Sequence, residues 1–198
     1  VSENDFILLE VLNFLAKNLT KRDLGKAAAR ALKNLCSYCH RQMLPYLADL
    51  FNIVENLNSL NLSEEGESYM IKAILETISS LPIDQFLVAM QKLCDIQIKK
   101  IQKFKNLSSQ LYIEQLAMIF EYAEAKLSSS DFDPVAQVFL WYWSTFKEMM
   151  QFYQNDETIF GKLISFVESA LKKFKMELFP IFKDVLDLIL LTSENIEL

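Results

Sequence analysis

Apolar residues recur every three to four positions over long stretches of this chain, with polar residues between them, the period of helices that bury one face. Phe6, Leu9, Leu12 and Leu15 predict a first helix over 5–18. It has no predicted partner before it and reads as the second half of a helical pair. Complete pairs follow. Leu24, Ala28, Ala31, Leu32 and Leu35 share one face of a helix over 21–38, and Leu44, Leu47, Leu50, Phe51 and Val54 one face of a helix over 43–57. The small residues Ala27, Ala28, Ala29 and Ala31 would let a neighbouring helix approach closely. A second pair is predicted over 65–80 and 83–104, where Ile71, Ile74, Leu75 and Ile78 face Phe86, Met90, Leu93 and Ile101. A third spans 108–126 and 134–153, and a fourth 156–174 and 177–191.

The residues between these stretches keep the same order. Each of the four prolines, Pro45, Pro82, Pro134 and Pro180, stands in or next to the first turn of the second helix of a pair. A proline lacks an N–H and has a fixed φ, so it suits a helix start and damages a helix interior. Asp133 before Pro134 supplies a capping carboxylate followed by a pre-set φ, while Ser63 and Asn155 are the expected caps of the second and fourth pairs. The connection 58–64 is polar and acidic, and 127–133, with Ser128, Ser129 and Ser130, is longer and looser. Two-helix units recurring at roughly 45 residues read as HEAT or armadillo-type repeats. The fold class expected is all-α, a single HEAT-repeat superhelix over 1–198 with about four helix pairs and one leading helix. The repeats fall near 22–57, 65–104, 108–153 and 156–192. Because a solenoid end needs a polar cap and these ends are apolar, the chain is expected to be a piece of a longer protein.

Composition and charge sharpen this picture. Three glycines and four prolines in 198 residues leave too few turn formers for a β-sandwich or barrel. A net charge of −6 lacks the concentrated basic face that nucleic acid requires, so no direct nucleic-acid partner is expected. The most apolar stretch, 179–191, is interrupted by Lys183, Asp184 and Asp187, which argues against membrane insertion. Cys36, Cys39 and Cys94 are odd in number and lie within helical patterns, as expected of reduced thiols inside a cell.

Several runs resemble a known family. Ala28, Ala31, Leu32, Leu35, Cys36 and Cys39, followed by Leu44-Pro45-Tyr46-Leu47 and Leu50, resemble a HEAT repeat of the importin-β (karyopherin) nuclear transport receptors. The segment from Tyr69 to Pro82, ending in Leu-Pro, then Phe86, Leu93 and Cys94, then Gln115-Leu-Ala-Met-Ile-Phe120, is similar to the middle of the transportin-SR branch. The likeness covers about residues 22–192 and is diffuse, because helical-repeat positions are mostly apolar. It implies a superhelix with first helices on the convex wall and second helices on the concave one. It also implies a cargo protein, the GTPase Ran and phenylalanine-glycine nucleoporins as partners, and shuttling between nucleus and cytoplasm. No Ran-contacting residue is carried over.

Other motifs have plainer explanations. Cys36-Ser-Tyr-Cys39-His40 satisfies the C-x-x-C-H pattern of covalent haem attachment, but it ends a helix whose apolar stripe is already committed to packing. A closed zinc site would need more ligands than this segment supplies. His40, the sole histidine, fits a helix C-terminus and limits general-base chemistry. Gly25, Gly66 and Gly161 are isolated, so no phosphate-cradling loop can be built. Glu64, Glu65 and Glu67 suit a helix N-terminus, and Lys99, Lys100, Lys103 and Lys172, Lys173, Lys175 suit helix C-termini. In the aromatic segment, Phe139, Tyr142, Phe146 and Tyr153 share the expected core face, while Trp141 falls opposite.

Projecting the second helices places polar residues opposite the apolar stripes, on the concave wall that the resemblance implies. They are Asp49, Asn52 and Glu55; Gln85, Lys92 and Lys99; Gln137, Trp141, Ser144 and Glu148; and Asp184 and Asp187. Most such charges are a solvated face, and a mixed wall that does bind would fit a folded, chemically varied partner. The function expected is binding and carrying, without catalysis or cofactor: a segment of a karyopherin-like receptor that takes cargo through the nuclear pore under Ran control. A cytoplasmic HEAT scaffold or adaptor is the alternative, and a haem protein a third reading.

Overall fold

A computed structural model gives the fold and describes residues 3–104, 108–126 and 132–194. The helices are α1 (Glu3–Leu19), α2 (Gly25–Tyr38), a single turn α3 (His40–Met43), α4 (Leu47–Glu55), α5 (Glu64–Ile78), α6 (Ile83–Phe104), α7 (Ser108–Tyr122), α8 (Pro134–Trp141), α9 (Trp143–Phe152), α10 (Glu157–Phe174) and α11 (Phe182–Glu194). Among the described residues there is no strand. The fold is all-α, of the HEAT-like helical-repeat kind. By internal packing it divides into two compact units, Val1–Ala89 with Tyr122–Leu127, and Met90–Glu121 with Ser128–Leu198.

In the first unit α5 is the central element. Helix α2 packs along it, α1 packs on α2, and α3 and α4 pack on α5. Because α5 meets neighbours on more than one side, it buries Met70, Ile71, Ala73, Ile74, Leu75 and Ile78, a face wider than a single partner could cover. The α2 side of this contact is built from small residues. Ala28 and Ala29 are buried there, while Ala27 and Ala31, expected to share that role, are exposed. Gly25 marks the tightest approach: a Cβ on it would sit 2.8 Å from the Leu19 carbonyl oxygen and 2.7 Å from Leu62 Cδ2. The turn at residues 21–24, closed by the Gly25 N–H on the Lys21 carbonyl at 2.7 Å, precedes the helix, which starts at Gly25 rather than at the expected residue 21.

The second unit is organised around phenylalanine. Phe139 of α8 has its ring centroid 5.2 Å from Phe120 of α7, 5.1 Å from Phe146 of α9 and 5.4 Å from Phe166 of α10. Phe120 and Phe139 meet edge to face, as do Phe146 and Phe166, the geometry that the ring quadrupole favours. Burying one such ring contributes about 1.5–3 kcal/mol, so the cluster is a large part of what holds four helices together.

The second helices are more broken than their periodicity predicts. In place of one helix over 43–57, a 3-10 turn at Leu44–Tyr46 holding Pro45 precedes α4. In place of one over 177–191, a 3-10 segment at Lys175–Ile181 holding Pro180 precedes α11. In both, proline removes an N–H that a continuous α-helix would use. The helix expected over 134–153 breaks at Tyr142, so that Tyr142 is only half-buried and Trp143 takes a buried place in the core. The caps follow the sequence closely. Ser63 Oγ accepts from Gly66 N–H at 3.2 Å and Asp133 Oδ1 from Val135 N–H at 2.8 Å. The fourth cap is Asp156, accepting from Ile159 N–H at 3.0 Å, rather than Asn155. The serine-bearing part of the connection expected at 127–133 lies outside the described residues.

Two glycines predict opposite responses to alanine. At Gly25 the new methyl meets a backbone carbonyl that cannot turn away, so Gly25→Ala is expected to destabilise by about 1–3 kcal/mol. At Gly161, inside α10, a Cβ meets nothing within 4 Å, and Gly161→Ala is expected to stabilise by about 0.5–1 kcal/mol. Thermal unfolding followed by circular dichroism checks both signs.

Candidate protein-binding surfaces

Helix α4 buries Leu50, Phe51 and Val54, and turns Asp49, Asn52 and Glu55 outward, one helical face apart. On α6, Gln85, Lys92 and Lys99 are exposed while Phe86, Met90, Leu93 and Cys94 are buried. In the second unit Gln137 is half-buried, Trp141 is 45% exposed, and Ser144, Glu148 and Asp187 are exposed. Glu148 borders a depression of about 200 Å³ between α6 and α9, with Ile101, Gln102, Met149 and the exposed ring of Phe152 around it. It combines an apolar floor with a carboxylate at the edge.

Asp184 has internal partners. It accepts hydrogen bonds from Lys147 Nζ at 2.7 Å and from the Trp143 indole N–H at 2.9 Å, which ties α11 to α9. The Lys147 ammonium, and after it the Trp143 N–H, hold its carboxyl below the usual aspartate range. A neighbouring anchor uses Tyr142, whose hydroxyl lies 2.6 Å from Asp95 Oδ1 and 3.1 Å from the Gln91 carbonyl. Burial, then the Asp95 carboxylate, push the Tyr142 phenol well above its ordinary range. The helix break at Tyr142 thus coincides with a side chain bonded across to α6.

A cavity of about 500 Å³ lies in the first unit and outside the second-helix residues named above. It is bounded by Arg30 and Lys33 of α2, by Lys72 and Glu76 of α5, and by Tyr122 with the following segment to Lys126. Glu76 stands 3.7 Å from Lys33 and 3.8 Å from Lys126, and the Lys72 ammonium lies 3.9 Å over the Tyr122 ring. Projection of the second helices could not find it, since its walls come from first helices. The available signal was the spacing Arg30/Lys33 and Lys72/Glu76, one helical turn apart on each.

The chain matches the family described as Transportin-3/Importin-13 third TPR domain over residues 1–53, which takes in α1 to most of α4. Among curated proteins it is similar to Transportin MOS14 of Arabidopsis thaliana, 26% identical over 129 residues, covering 59% of this chain. Over these stretches the chain is similar to transportin proteins. It spans 14% of the length of that transportin.

Within the matched residues 1–53 lies the Cys36-x-x-Cys39-His40 motif. Cys36 is fully buried on α2, and burial pushes its thiol up to about 11, so it packs as a small protonated hydrophobe. His40 begins α3 rather than ending α2, with Nδ1 3.4 Å from the Ser37 carbonyl oxygen. Among the described residues, no group of three His, Cys, Asp or Glu could hold a metal ion, and no helix is long and apolar enough to cross a membrane.

The Asp184 tie has a measurable pH signature. A depressed folded-state value means the contribution is present above the ordinary aspartate value of 3.8 and is lost as pH falls through the folded value. A carboxyl-detected NMR titration is expected to place the Asp184 midpoint below 3.8, and Lys147→Met to move it upward. An ordinary midpoint in the unaltered chain would contradict the hydrogen-bonded arrangement.

Proposed function

We propose that this chain is a binding segment of a karyopherin-like nuclear transport receptor, one that holds a cargo protein while the receptor crosses the nuclear pore under the control of Ran. The observation that carries this reading is the similarity to transportin proteins, together with a helical-repeat fold in the described part. Transport receptors are not an enzyme class, in keeping with a chain that works by binding. The second-helix positions turned away from the core supply the cargo contacts: the exposed Asp49, Asn52 and Glu55 on α4; Gln85, Lys92 and Lys99 on α6; Trp141 on α8, with the half-buried Gln137 beside it; Ser144 and Glu148 on α9; and Asp187 on α11. Asp184 contributes by holding α9 and α11 together beside them.

Stacked repeats give such a receptor its control. Each helix pair touches chiefly its neighbours, so small rotations add along the array. Cargo and Ran can then oppose one another only through different affinities for the resulting conformations. Phenylalanine-glycine nucleoporins would supply the contact with the pore, and the protein would move between nucleus and cytoplasm.

Affinity capture with the intact receptor, comparing GTP-loaded with GDP-loaded Ran, tests the reading. The captured cargo is expected to change with the nucleotide state, and charge reversal at Glu148 and Asp187 together to weaken cargo capture roughly tenfold. Capture that ignores the nucleotide state would contradict the transport reading and favour a cytoplasmic scaffold.

A further inference from the structure

We propose that the groove of the first unit between α2, α5 and the segment after α7 is a binding site for an acidic peptide segment of a partner protein. It is separate from the second-helix positions above, and does not rest on the transport reading. Its chemistry runs against that of the chain. The protein carries a net charge of −6, yet Arg30, Lys33, Lys72 and Lys126 converge on this cavity, with only Glu76 and Glu124 as carboxylates in its lining. Four cations around one concavity raise the local concentration of an anionic partner, and low-dielectric walls focus the effect.

The groove is held in shape before any ligand arrives. The Lys126 N–H donates to the Ser79 carbonyl at 3.0 Å, fastening the segment after α7 to the end of α5. Ser79 is itself buried, and its hydroxyl donates to the Glu76 carbonyl at 2.7 Å. Tyr122 gives a flat aromatic side on which Lys72 rests, and a cation–π contact of this kind leaves ammonium N–H groups for a ligand oxygen. At 3.7 and 3.8 Å, Glu76 stands too far from Lys33 and Lys126 for direct hydrogen bonds. Both ammonium groups therefore remain open to a shorter contact from an incoming carboxylate, with Glu76 as the internal competitor for them. A volume of about 500 Å³ accommodates several side chains of an extended peptide.

The same features disfavour nucleic acid. A phosphodiester strand carries a charge at every nucleotide and needs a basic track that follows it, whereas here two carboxylates lie among the cations and the surrounding protein is acidic. A peptide can place neutral residues opposite Glu76 and Glu124 and acids opposite the cations.

Fluorescence anisotropy of the 198-residue chain with a labelled glutamate-rich peptide tests the proposal. A glutamine peptide of the same length and a single-stranded RNA oligonucleotide provide the other arms. The glutamate peptide is expected to bind, to weaken with added salt, and to lose at least about tenfold in affinity in the Arg30→Glu, Lys72→Glu double variant. Glu76→Gln removes the internal competitor, so it is expected to tighten the peptide a few-fold. Circular dichroism verifies that both variants remain helical, and if the double variant unfolds, Glu76→Gln carries the test by itself. Equal binding of the glutamine peptide, tighter binding of RNA, no binding of the glutamate peptide, or unchanged or weaker binding with Glu76→Gln would overturn the proposal.

Discussion

Helix α5 buries apolar residues around more of its circumference than any one neighbour can cover, and this shared burial is the constraint on which the rest of the structure depends. Met70, Ile74 and Ile78 are fully enclosed, and so are Ile71 and Ala73 on adjacent sides of the helix. Each helix therefore needs partners before and after it in the chain. Phe139 states the same requirement in the second unit, where a single ring touches aromatic rings from three other helices. Such an arrangement uses the buried faces for stability and leaves the outer faces without a packing duty. Those faces can differ in charge from one helix pair to the next at little cost to the fold.

Helix existence was legible because the apolar period is strong, and the starts at Ser63 and Asp133 because capping chemistry is local to three or four residues. What escaped depends on atoms distant in sequence. Nothing around Tyr142 resembles a helix breaker; its hydroxyl meets Asp95, 47 residues away. The close approach of Leu62 to Gly25 likewise joins residues far apart in the chain, and the helical period of α2 does not announce it. Gln97 shows the limit most clearly. Its side-chain amide is wholly enclosed and pairs with no protein group among the described residues, a placement that residue-level polarity would not suggest.

The candidate surfaces divide along the same line. Exposure of Asp49, Asn52, Glu55, Lys92 and Lys99 followed from helical projection, since a residue opposite an apolar stripe faces away from the core. That Asp184 would be taken up by Lys147 and Trp143 did not follow, because the partners come from another helix. The basic groove of the first unit was invisible for the same reason. Arg30 and Lys33 look like ordinary solvated charges on α2 until α5 and the segment ending at Lys126 bring Lys72, Glu76, Glu124 and Lys126 beside them. Function in a helical array is thus written in the polar faces, and tertiary packing decides which polar residues converge.

The most direct test of the shared core is native-state hydrogen exchange on Phe139→Leu, a change that trims the ring without adding a polar group. If successive helices depend on one another, protection is expected to fall together in α7, α9 and α10 as well as in α8, by an amount reporting a loss of about 1–2 kcal/mol. A loss confined to α8, with α7 and α10 unaltered, would contradict the account.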